Sequence, residues 1–182
     1  MELRTERLLL REMRPDDLEA FLEMDAHPQS RTYETPRDEA AIRKVMERTM
    51  AGAAETPRRT YWFVVTIPPS DRMRGRAGVA LSHPEYREWE IGWQMHVEEW
   101  GKGYATEAGR ELLRLAFHEL NAHRVVAFCH AQNRPSERVM QKLGMQQEGR
   151  TRETFWWRDH WVDELMYAIL EREFLAGQPF AG

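Results

Sequence analysis

Two periods of apolar residues divide the chain into predicted strands and helices. Apolar and polar residues alternate in short segments, which is typical of strands, and apolar residues recur at every third or fourth position in longer segments, which is typical of helices. The predicted order is a strand, two helices, a meander of three strands, a helix, a strand, a helix and a final hairpin. The predicted strands are residues 5–12, 60–67, 75–81, 89–96, 124–130, 149–157 and 161–170.

Residues that favour helix starts and ends mark the boundaries between these segments. Pro15 and the two aspartates after it favour a helix start, because proline fits the first turn and acidic side chains favour the positive end of a helix. Thr35-Pro36 is the predicted start of the second helix, with Thr35 as its cap. Asn133 is the predicted cap of the last long helix, and Gly144 is expected to end that helix in a left-handed conformation.

This order predicts a mixed, mostly antiparallel, twisted sheet with helices on both faces, an α/β fold that some schemes call α+β. The segment 124–130 is apolar on both faces, so it is expected near the centre of the sheet. A doubly wound dinucleotide-binding fold is disfavoured, because no strand–turn–helix–strand unit occurs at the amino terminus. All of residues 1–182 are expected to form a single domain.

A glycine-rich turn lies between the predicted fourth strand and the helix that follows it. Gly101 and Gly103 are two residues apart in Trp-Gly-Lys-Gly-Tyr-Ala-Thr-Glu-Ala, residues 100–108. Such a turn leaves backbone N–H groups unpaired at a helix amino terminus, where the helix dipole adds positive charge. The turn therefore suits a phosphate or pyrophosphate. Alternatively, the glycines serve only the backbone angles of a tight connection.

Composition and charge exclude several classes of protein. The 42% of hydrophobic residues can form a substantial core, and the 31% of charged residues favour a soluble protein. No apolar run approaches the ~20 residues that cross a bilayer, and the amino terminus lacks the basic-then-apolar order of a signal peptide. We therefore expect a cytoplasmic protein that has no membrane partner.

The charge balance and the cysteine content narrow the choice of ligands. A net charge of -4 argues against direct nucleic-acid binding, which needs a basic face, but it permits an anionic cofactor at a local basic site or a cationic substrate. The single cysteine, Cys129, cannot form an internal disulfide, which fits a reducing compartment. No cysteine or histidine spacing resembles a metal site, so no metal is expected.

Four segments resemble the GNAT superfamily of acetyl-CoA-dependent N-acetyltransferases. They are residues 5–11 (Thr-Glu-Arg-Leu-Leu-Leu-Arg), 91–93 (Ile-Gly-Trp), 100–108, and 133–144 with Asn133, Ser136 and Lys142-Leu143-Gly144. They occur in the family's order and span nearly the whole chain. The chain most resembles the RimJ/RimL branch, which contains acetyltransferases of ribosomal-protein N-termini and many relatives. Trp100 replaces the Gln or Arg of the general pattern, and this departure is usual in that branch.

The resemblance implies that acetyl-CoA is the co-substrate and that defined residues hold it. The pyrophosphate would contact backbone amides of Gly101, Lys102, Gly103, Tyr104, Ala105 and Thr106. The pantetheine arm would lie between the predicted fourth and fifth strands, which splay apart, against backbone groups of Gln94, Met95 and His96. Asn133 and Ser136 would complete this site, although Asn133 is also a plain helix cap. Arg134, Arg138 and Lys142 would meet the nucleotide phosphate or form a solvated basic face.

Acetyl transfer to an amine requires a neutral amine, and two carboxylates are candidates for the general base. Glu90, on the predicted fourth strand, is the first candidate, directly or through a water molecule. Its alternative role is that of a carboxylate on a solvent-exposed face. Glu153 is the second candidate, because the final hairpin is expected to wall the acceptor site.

The reaction also requires a polarised thioester carbonyl and a proton for the leaving thiolate. The resemblance suggests Ser136 as the acid, and its alternative role is to satisfy a backbone group in the first helical turn. Tyr104 and Tyr167 are other possible proton donors. A backbone N–H at a β-bulge near Met95, expected from Gly92 and from the family, would stabilise the oxyanion.

The expected acceptor is a primary amine that attacks directly in a ternary complex. An N-terminal α-amine needs little help from a base, because its pKa is ~7.7–8.0 against ~10.4 for lysine. The acidic residues Glu85, Glu88, Glu98 and Glu99 would attract a basic peptide. A small-molecule amine (amino acid, polyamine or antibiotic) and a catalytically idle coenzyme A-binding sensor module remain the alternatives. The family also suggests a possible homodimer.

Overall fold

Eight strands and five α-helices occur in residues 1–33, 35 and 37–177, which are the residues that this computed structural model describes. The strands are β1 (Glu2–Arg4), β2 (Leu9–Arg11), β3 (Thr60–Thr66), β4 (Gly75–His83), β5 (Glu88–Met95), β6 (Arg124–His130), β7 (Gln146–Trp157) and β8 (His160–Leu170). The helices are α1 (Leu18–Ala26), α2 (Glu39–Ala53), α3 (Tyr104–His118), α4 (Arg134–Lys142) and α5 (Glu171–Ala176).

These strands form one sheet in the order β1–β2–β3–β4–β5–β6–β8–β7. Every neighbouring pair is antiparallel except β5 and β6, which are parallel. The predicted mixed, mostly antiparallel sheet is therefore confirmed. β6 lies between β5 and β8, as its apolar sequence predicts. No helix among the described residues is long and apolar enough to cross a membrane.

The predicted first strand, residues 5–12, is wrong in its bounds. The chain forms a short hairpin of β1 and β2, in which the Thr5 N–H donates to the Leu8 carbonyl (3.0 Å). The Thr5 hydroxyl is also bound by Glu107, which lies 102 positions away in the sequence. This long-range contact stabilises the turn, and the local alternation of Leu8 and Leu10 does not reveal it.

The predicted start of the second helix is also wrong. α2 begins at Glu39, and its cap is Asp38, whose carboxylate accepts a hydrogen bond from the Ala41 N–H (2.8 Å). Thr35 therefore lies before the helix, and Pro36 lies outside the described residues. An aspartate cap competes well with a threonine cap, because both offer a side-chain oxygen to the first turn.

Helices cover the two faces of the sheet unequally. On one face, α3 and α4 complete a large core with strand residues such as Phe63, Ile91 and Val125. On the other face, α1 and α2 form a smaller core around Phe21 and Val64. Residues of β5, β6 and β8 do not belong to this smaller core within the described chain. That part of the face carries the exposed Glu90 and Phe128 beside the buried Val126 and Ala168.

Glu107, in the first turn of α3, ties the amino-terminal hairpin to the glycine turn. Its carboxylate accepts hydrogen bonds from the Thr5 hydroxyl (2.5 Å), the Arg7 N–H (2.9 Å) and the Arg7 Nε (2.7 Å). Arg7 also donates to the Lys102 carbonyl (3.1 Å), and its guanidinium lies 4.7 Å from the Tyr104 ring centre. Burial alone would raise the pKa of Glu107, but the hydrogen bonds from Thr5 and Arg7 hold it below its ordinary value.

Glu107→Ala is expected to lower the free energy of unfolding by about 2 kcal/mol at neutral pH, because the donors of Thr5 and Arg7 lose a charged acceptor. Because the folded-state pKa is lowered, this stabilisation is present above the ordinary carboxyl pKa and is lost as the pH falls through the lowered value. Urea unfolding at several pH values measures both effects. Glu111→Ala removes only a pair with the exposed Arg114 on the same helix and should cost about 0.5 kcal/mol or less. Equal losses of unfolding free energy in the two variants would contradict the role of Glu107 as the charged acceptor for Thr5 and Arg7.

Candidate active site

β5 and β6 pair at one end only and then separate. Their parallel ladder contains three residue pairs and ends where Glu90 lies opposite Val126. β5 nevertheless continues to Met95, and β6 continues to His130. The two strands therefore bound a wedge-shaped gap, as expected for the predicted strands 89–96 and 124–130.

Backbone N–H groups of β5 face this gap. The His96 N–H donates to the Arg74 carbonyl on the β4 side of the strand (2.8 Å). Peptide groups alternate in direction along a strand, so the N–H groups of Trp93 and Met95 face the opposite edge, towards β6. These two donors lie beyond the last pair of the β5–β6 ladder. The gap therefore presents backbone donors that a ligand can use.

The β-bulge expected near Met95 is absent. The β4–β5 register is unbroken from Gly75 opposite Met95 to Leu81 opposite Trp89. Gly92 instead permits the close approach of a ring, since a Cβ there would lie 3.1 Å from the Trp62 indole. The candidate oxyanion donors therefore arise from the regular alternation of the strand.

A cavity of about 510 Å³ extends from this gap to the glycine turn. β5, the turn, α3 and α4 supply most of its walls. The cavity brings together most of the predicted cofactor-binding residues: Gln94, Met95, Gly101, Gly103, Tyr104, Ala105, Thr106, Asn133 and Ser136. Arg138 and Lys142 also line it, whereas Arg134 forms an ion pair with Glu137 (2.6 Å).

Two predicted cofactor-binding residues, Lys102 and His96, do not line the cavity. Lys102 forms an ion pair with Glu99 (2.9 Å). The His96 side chain is buried, and its Nδ1 accepts a hydrogen bond from the Glu98 N–H (3.3 Å). The contact of His96 backbone groups with the pantetheine arm stays a prediction, and the His96 N–H itself already donates to the Arg74 carbonyl within the sheet.

The glycine turn is a tight connection that needs glycine, and its phosphate-binding role stays a prediction that the geometry permits. Gly101 (φ 76°) and Gly103 (φ 86°) have left-handed conformations, which glycine adopts without steric cost. Gly103 immediately precedes α3, and no side chain of the described residues caps the amino terminus of that helix. The first N–H groups of α3 therefore remain available beside the cavity.

Trp100 connects the end of β5 to the glycine turn. Its indole Nε1 donates a hydrogen bond to the Met95 carbonyl (2.9 Å), and its ring lines the cavity. A Gln or Arg side chain has a donor too, but it lacks an aromatic surface for the wall. The tryptophan therefore shapes the cavity and also fixes the strand end.

The start of α4 places Ser136 at the cavity. The Asn133 side-chain oxygen accepts a hydrogen bond from the Ser136 N–H (3.1 Å), so the predicted cap is present. The Ser136 hydroxyl has no hydrogen-bond partner among the described residues, and the residue lines the cavity. Tyr167 does not line it, and its hydroxyl donates to Glu137 (3.0 Å). Ser136 is thus the better placed of these two proton donors.

Glu90 lies at the point where β5 and β6 separate, on the face that carries α1 and α2. Water reaches its side chain, yet surrounding protein atoms raise the pKa of the Glu90 carboxyl, and the negative charges of Glu164 and Glu88 raise it further. These properties fit a carboxylate that faces an open cleft. A raised pKa also suits a general base that works near neutral pH.

Glu153 is far from the gap. It lies in β7, and β6 and β8 separate that strand from β5, so the lateral distance is about 14 Å at the usual strand spacing. Its side chain is exposed, its φ is 52°, and its N–H donates to Asp163 (3.0 Å). The structure therefore does not bring Glu153 together with the other candidate catalytic residues.

The predicted acidic attraction for a basic peptide is weakened by internal ion pairs. Arg74 bonds to Glu98 (2.5 Å) and to Glu99 (2.6 Å). Arg124 bonds to Glu88 (2.8 Å). These carboxylates are therefore already neutralised within the chain.

Several residues near the gap were not predicted from the sequence as site residues. Gln29, Ser30 and Tyr33 line the cavity, although they follow α1, far away in the chain. Trp62 and Glu164 lie close to Gly92 and Glu90 respectively, as the ring contact and the charge effect indicate. Local sequence patterns do not predict these residues as parts of the site, because only the tertiary fold brings them together.

Residues 7–146 match the family model of the acetyltransferase (GNAT) domain, so the chain belongs to the GNAT acetyltransferases. It is 33% identical over 176 residues to the uncharacterized N-acetyltransferase YnaD of Bacillus subtilis (strain 168), with coverage of 96% of this chain and 99% of that protein.

Solved structures share the fold. An acetyltransferase (GNAT family) from Bacillus anthracis is 32% identical, with a TM-score of 0.81 and coverage of 94% of this chain and 99% of that one. RimL, a ribosomal L7/L12 alpha-N-protein acetyltransferase solved in complex with coenzyme A, is 15% identical, with a TM-score of 0.82 and coverage of 93% and 98%. At this lower identity, the likeness to RimL shows the fold alone.

Gly101→Ala is expected to lower the free energy of unfolding by about 1–2 kcal/mol, because an L-residue is strained at positive φ. Apart from its two chain neighbours, no described residue has an atom within 4 Å of the added Cβ, so the loss would come from backbone strain rather than from a clash. Gly149→Ala is the matched control, since its Cβ would make an ordinary 3.8 Å contact and its φ is not in the left-handed region. Thermal or urea unfolding measures both variants, and equal stabilities would contradict the left-handed turn.

Proposed function

We propose that this protein is an acetyl-CoA-dependent N-acetyltransferase of the RimJ/RimL branch that acetylates a primary amine by direct attack in a ternary complex. The observation that carries this proposal is the continuity of two sets of backbone donors in one cavity. The β5 N–H groups of Trp93 and Met95 face the gap, and the uncapped amino terminus of α3 faces the glycine turn. An amide-bearing arm that ends in a pyrophosphate matches both sets of donors.

The cavity walls support the same co-substrate. Amides of residues 101–106 would hold the pyrophosphate, and Arg138 and Lys142 would meet the nucleotide phosphate at the far end. Asn133 would contact the pantetheine arm from α4 while it caps that helix. Trp100, which replaces the Gln or Arg of the general pattern and bonds to the Met95 carbonyl, supports the RimJ/RimL branch.

The proposed chemistry forms one bond and breaks one. The amine nitrogen attacks the thioester carbon, the new C–N bond forms, and the C–S bond breaks. Glu90 accepts the amine proton, directly or through water, and Ser136 donates a proton to the departing thiolate. Ser136 then regains a proton from water and Glu90 returns its proton to water, so the net transfer is from the amine to the thiolate. The N–H of Trp93 or Met95 stabilises the oxyanion, as a fixed donor does in other acyl transfers.

A thiol-release assay tests the proposed function. Acetyl-CoA and a panel of N-terminal peptides, polyamines, amino acids and aminoglycosides should yield free thiol and acetylated amine in equal amounts for at least one acceptor. An idle coenzyme A-binding module would bind the coenzyme but release no thiol with any acceptor. Coenzyme binding without thiol release would contradict the enzymatic proposal and support the coenzyme A-binding module.

Glu90→Gln is expected to lower kcat by about 10²–10³-fold, because a positioned general base contributes about that much. In the wild type, kcat/KM should rise with pH through a value above the ordinary carboxyl pKa, since the base acts when ionised and its pKa is raised. The variant should lack that limb of the pH profile.

Glu153→Gln separates the two candidate bases. The exposed Glu153 lies three strands from β5, so its variant should keep the wild-type rate and pH profile. A large loss of kcat in Glu153→Gln, with little change in Glu90→Gln, would make Glu153 the general base instead of Glu90.

A further inference from the structure

Two arginines fix the direction in which the side-chain amide of Gln94 points. The Gln94 Oε1 accepts hydrogen bonds from Arg37 Nη2 (3.1 Å) and from Arg76 Nε (3.2 Å). A guanidinium group only donates, so the amide atom that faces both arginines is the oxygen and not the nitrogen. The Nε2 group of Gln94, with its two hydrogens, therefore points away from the arginines.

Packed rings and a buried carboxylate hold these two arginines in place. The Arg76 guanidinium carbon lies 5.1 Å from the Trp62 ring centre and 5.2 Å from the Phe21 ring centre. The Arg37 guanidinium carbon lies 5.7 Å from the same Phe21 ring, and its Nη2 donates to the buried Asp25 carboxylate (2.5 Å). Aromatic faces attract guanidinium groups. The arginines are therefore a firm support for the amide that they bind.

The Gln94 amide nitrogen has open space in front of it. It has no hydrogen-bond partner among the described residues, and it is not one of their buried unpartnered side-chain atoms. Gln94 also lines the cavity of about 510 Å³. A polar group that is neither bonded nor buried is satisfied by water or by a ligand. This donor is therefore available to a molecule in the cavity.

The Gln94 side chain meets the cavity from the side of α1 and α2. Gln94 lies opposite Arg76 in the β4–β5 register, and Arg76 lies opposite Val64, which belongs to the smaller core under these two helices. Side chains alternate along a strand. The Trp93 and Met95 side chains accordingly pack with the larger core on the α3 side.

This side of the site contains residues that the proposed coenzyme contacts do not use. Gln29, Ser30 and Tyr33 line the cavity from the segment that joins α1 to α2. Glu90, the proposed general base, lies on the same face of β5 as Gln94, because an even number of positions separates them. A base must reach the amine that it deprotonates. The acceptor therefore lies along this face.

An aromatic surface lies between Glu90 and Gln94 on this face. The register places Trp62 opposite Gly78, and Gly78 opposite Gly92. A Cβ added to Gly78 or to Gly92 would lie 2.5 Å or 3.1 Å from carbons of the Trp62 indole. The two glycines thus let the ring lie against the sheet as far as β5, and a molecule that runs from Glu90 to Gln94 would cross it.

From this arrangement we propose that Gln94 determines acceptor specificity, because its Nε2 donates a hydrogen bond to an oxygen of the acceptor whose amine lies at Glu90. The inference rests on the proposed function, since it concerns the acceptor of that same reaction. It requires a hydrogen-bond-accepting oxygen at a distance from the amine. A hydrocarbon in that place would leave the amide donor unpaired, which costs binding.

Gln94→Glu reverses the polarity of this hydrogen bond with little change in shape. One carboxylate oxygen still accepts from Arg37 and Arg76, and the other replaces the Nε2 donor by an acceptor. The fold should therefore be retained, which thermal unfolding checks. Gln147→Glu is the matched control, because its exposed side chain on β7 adds the same charge and keeps an acceptor for the Tyr167 hydroxyl (3.5 Å).

Isosteric acceptors measure the preference for oxygen. An ether oxygen replaces one methylene when 2-methoxyethylamine is compared with butylamine, and 4-methoxybutylamine with hexylamine. For at least one pair, the ratio of kcat/KM for the ether to kcat/KM for the hydrocarbon should be about three- to tenfold lower in Gln94→Glu than in the wild type and in Gln147→Glu. The change should be mainly in the KM of the ether, with the KM of acetyl-CoA unchanged.

Cationic isosteres give the reciprocal test. In N-methyl-1,2-diaminoethane and N-methyl-1,4-diaminobutane, an ammonium group replaces the ether oxygen of the two methoxy compounds. At the length that shows the ether preference, Gln94→Glu should raise kcat/KM for the ammonium compound relative to the ether by about tenfold, because a carboxylate accepts a charge-assisted hydrogen bond. A residue that only supported the strand would not invert the preference.

The outcomes separate this inference from the proposed function. If neither these amines nor the acceptor panel of the thiol-release assay are acetylated, both are overturned. If panel acceptors react but neither ether does, or if the ratio of ether to hydrocarbon is the same in the wild type and in Gln94→Glu at both lengths, the enzymatic function stands and the inference is overturned. A raised KM for acetyl-CoA in Gln94→Glu, with equal losses for every acceptor, would place Gln94 on the coenzyme and also overturn the inference.

Discussion

The separation of β5 from β6 is the constraint on which the rest of the site depends. The ladder ends where Glu90 lies opposite Val126, so backbone donors that a sheet would normally satisfy remain available. Such groups are paired within the protein, with water or with a ligand. Here the gap opens into a cavity that reaches the uncapped start of α3, so one extended molecule can satisfy both sets of donors.

Several contacts hold the gap and the turn in shape. Trp100 bonds to the Met95 carbonyl (2.9 Å), and Glu107 and Arg7 brace the glycine turn from outside. α3 and α4 approach closely at Gly109, where a Cβ would lie 2.7 Å from Leu143 Cδ1. The α3 side of the sheet is therefore tightly packed where α3 and α4 meet.

The sequence predicted features that local chemistry determines. Gly101 and Gly103 indicated the turn, Asn133 indicated the α4 cap, and the apolar segments indicated the mixed sheet. The errors have long-range causes: Glu107 binds Thr5 and helps to divide the predicted first strand, and the register of β4 and β5 leaves no bulge near Met95. The influence of Glu164 on Glu90 was missed for the same reason, since only the strand order brings β5, β6 and β8 together.

A crystal structure of the protein with coenzyme A tests the central claim most directly. The account predicts pantetheine amides within about 2.7–3.2 Å of backbone groups of Trp93 or Met95, and pyrophosphate oxygens within the same range of amides in residues 101–106. Coenzyme bound elsewhere, with the gap between β5 and β6 closed or filled by protein side chains, would contradict it.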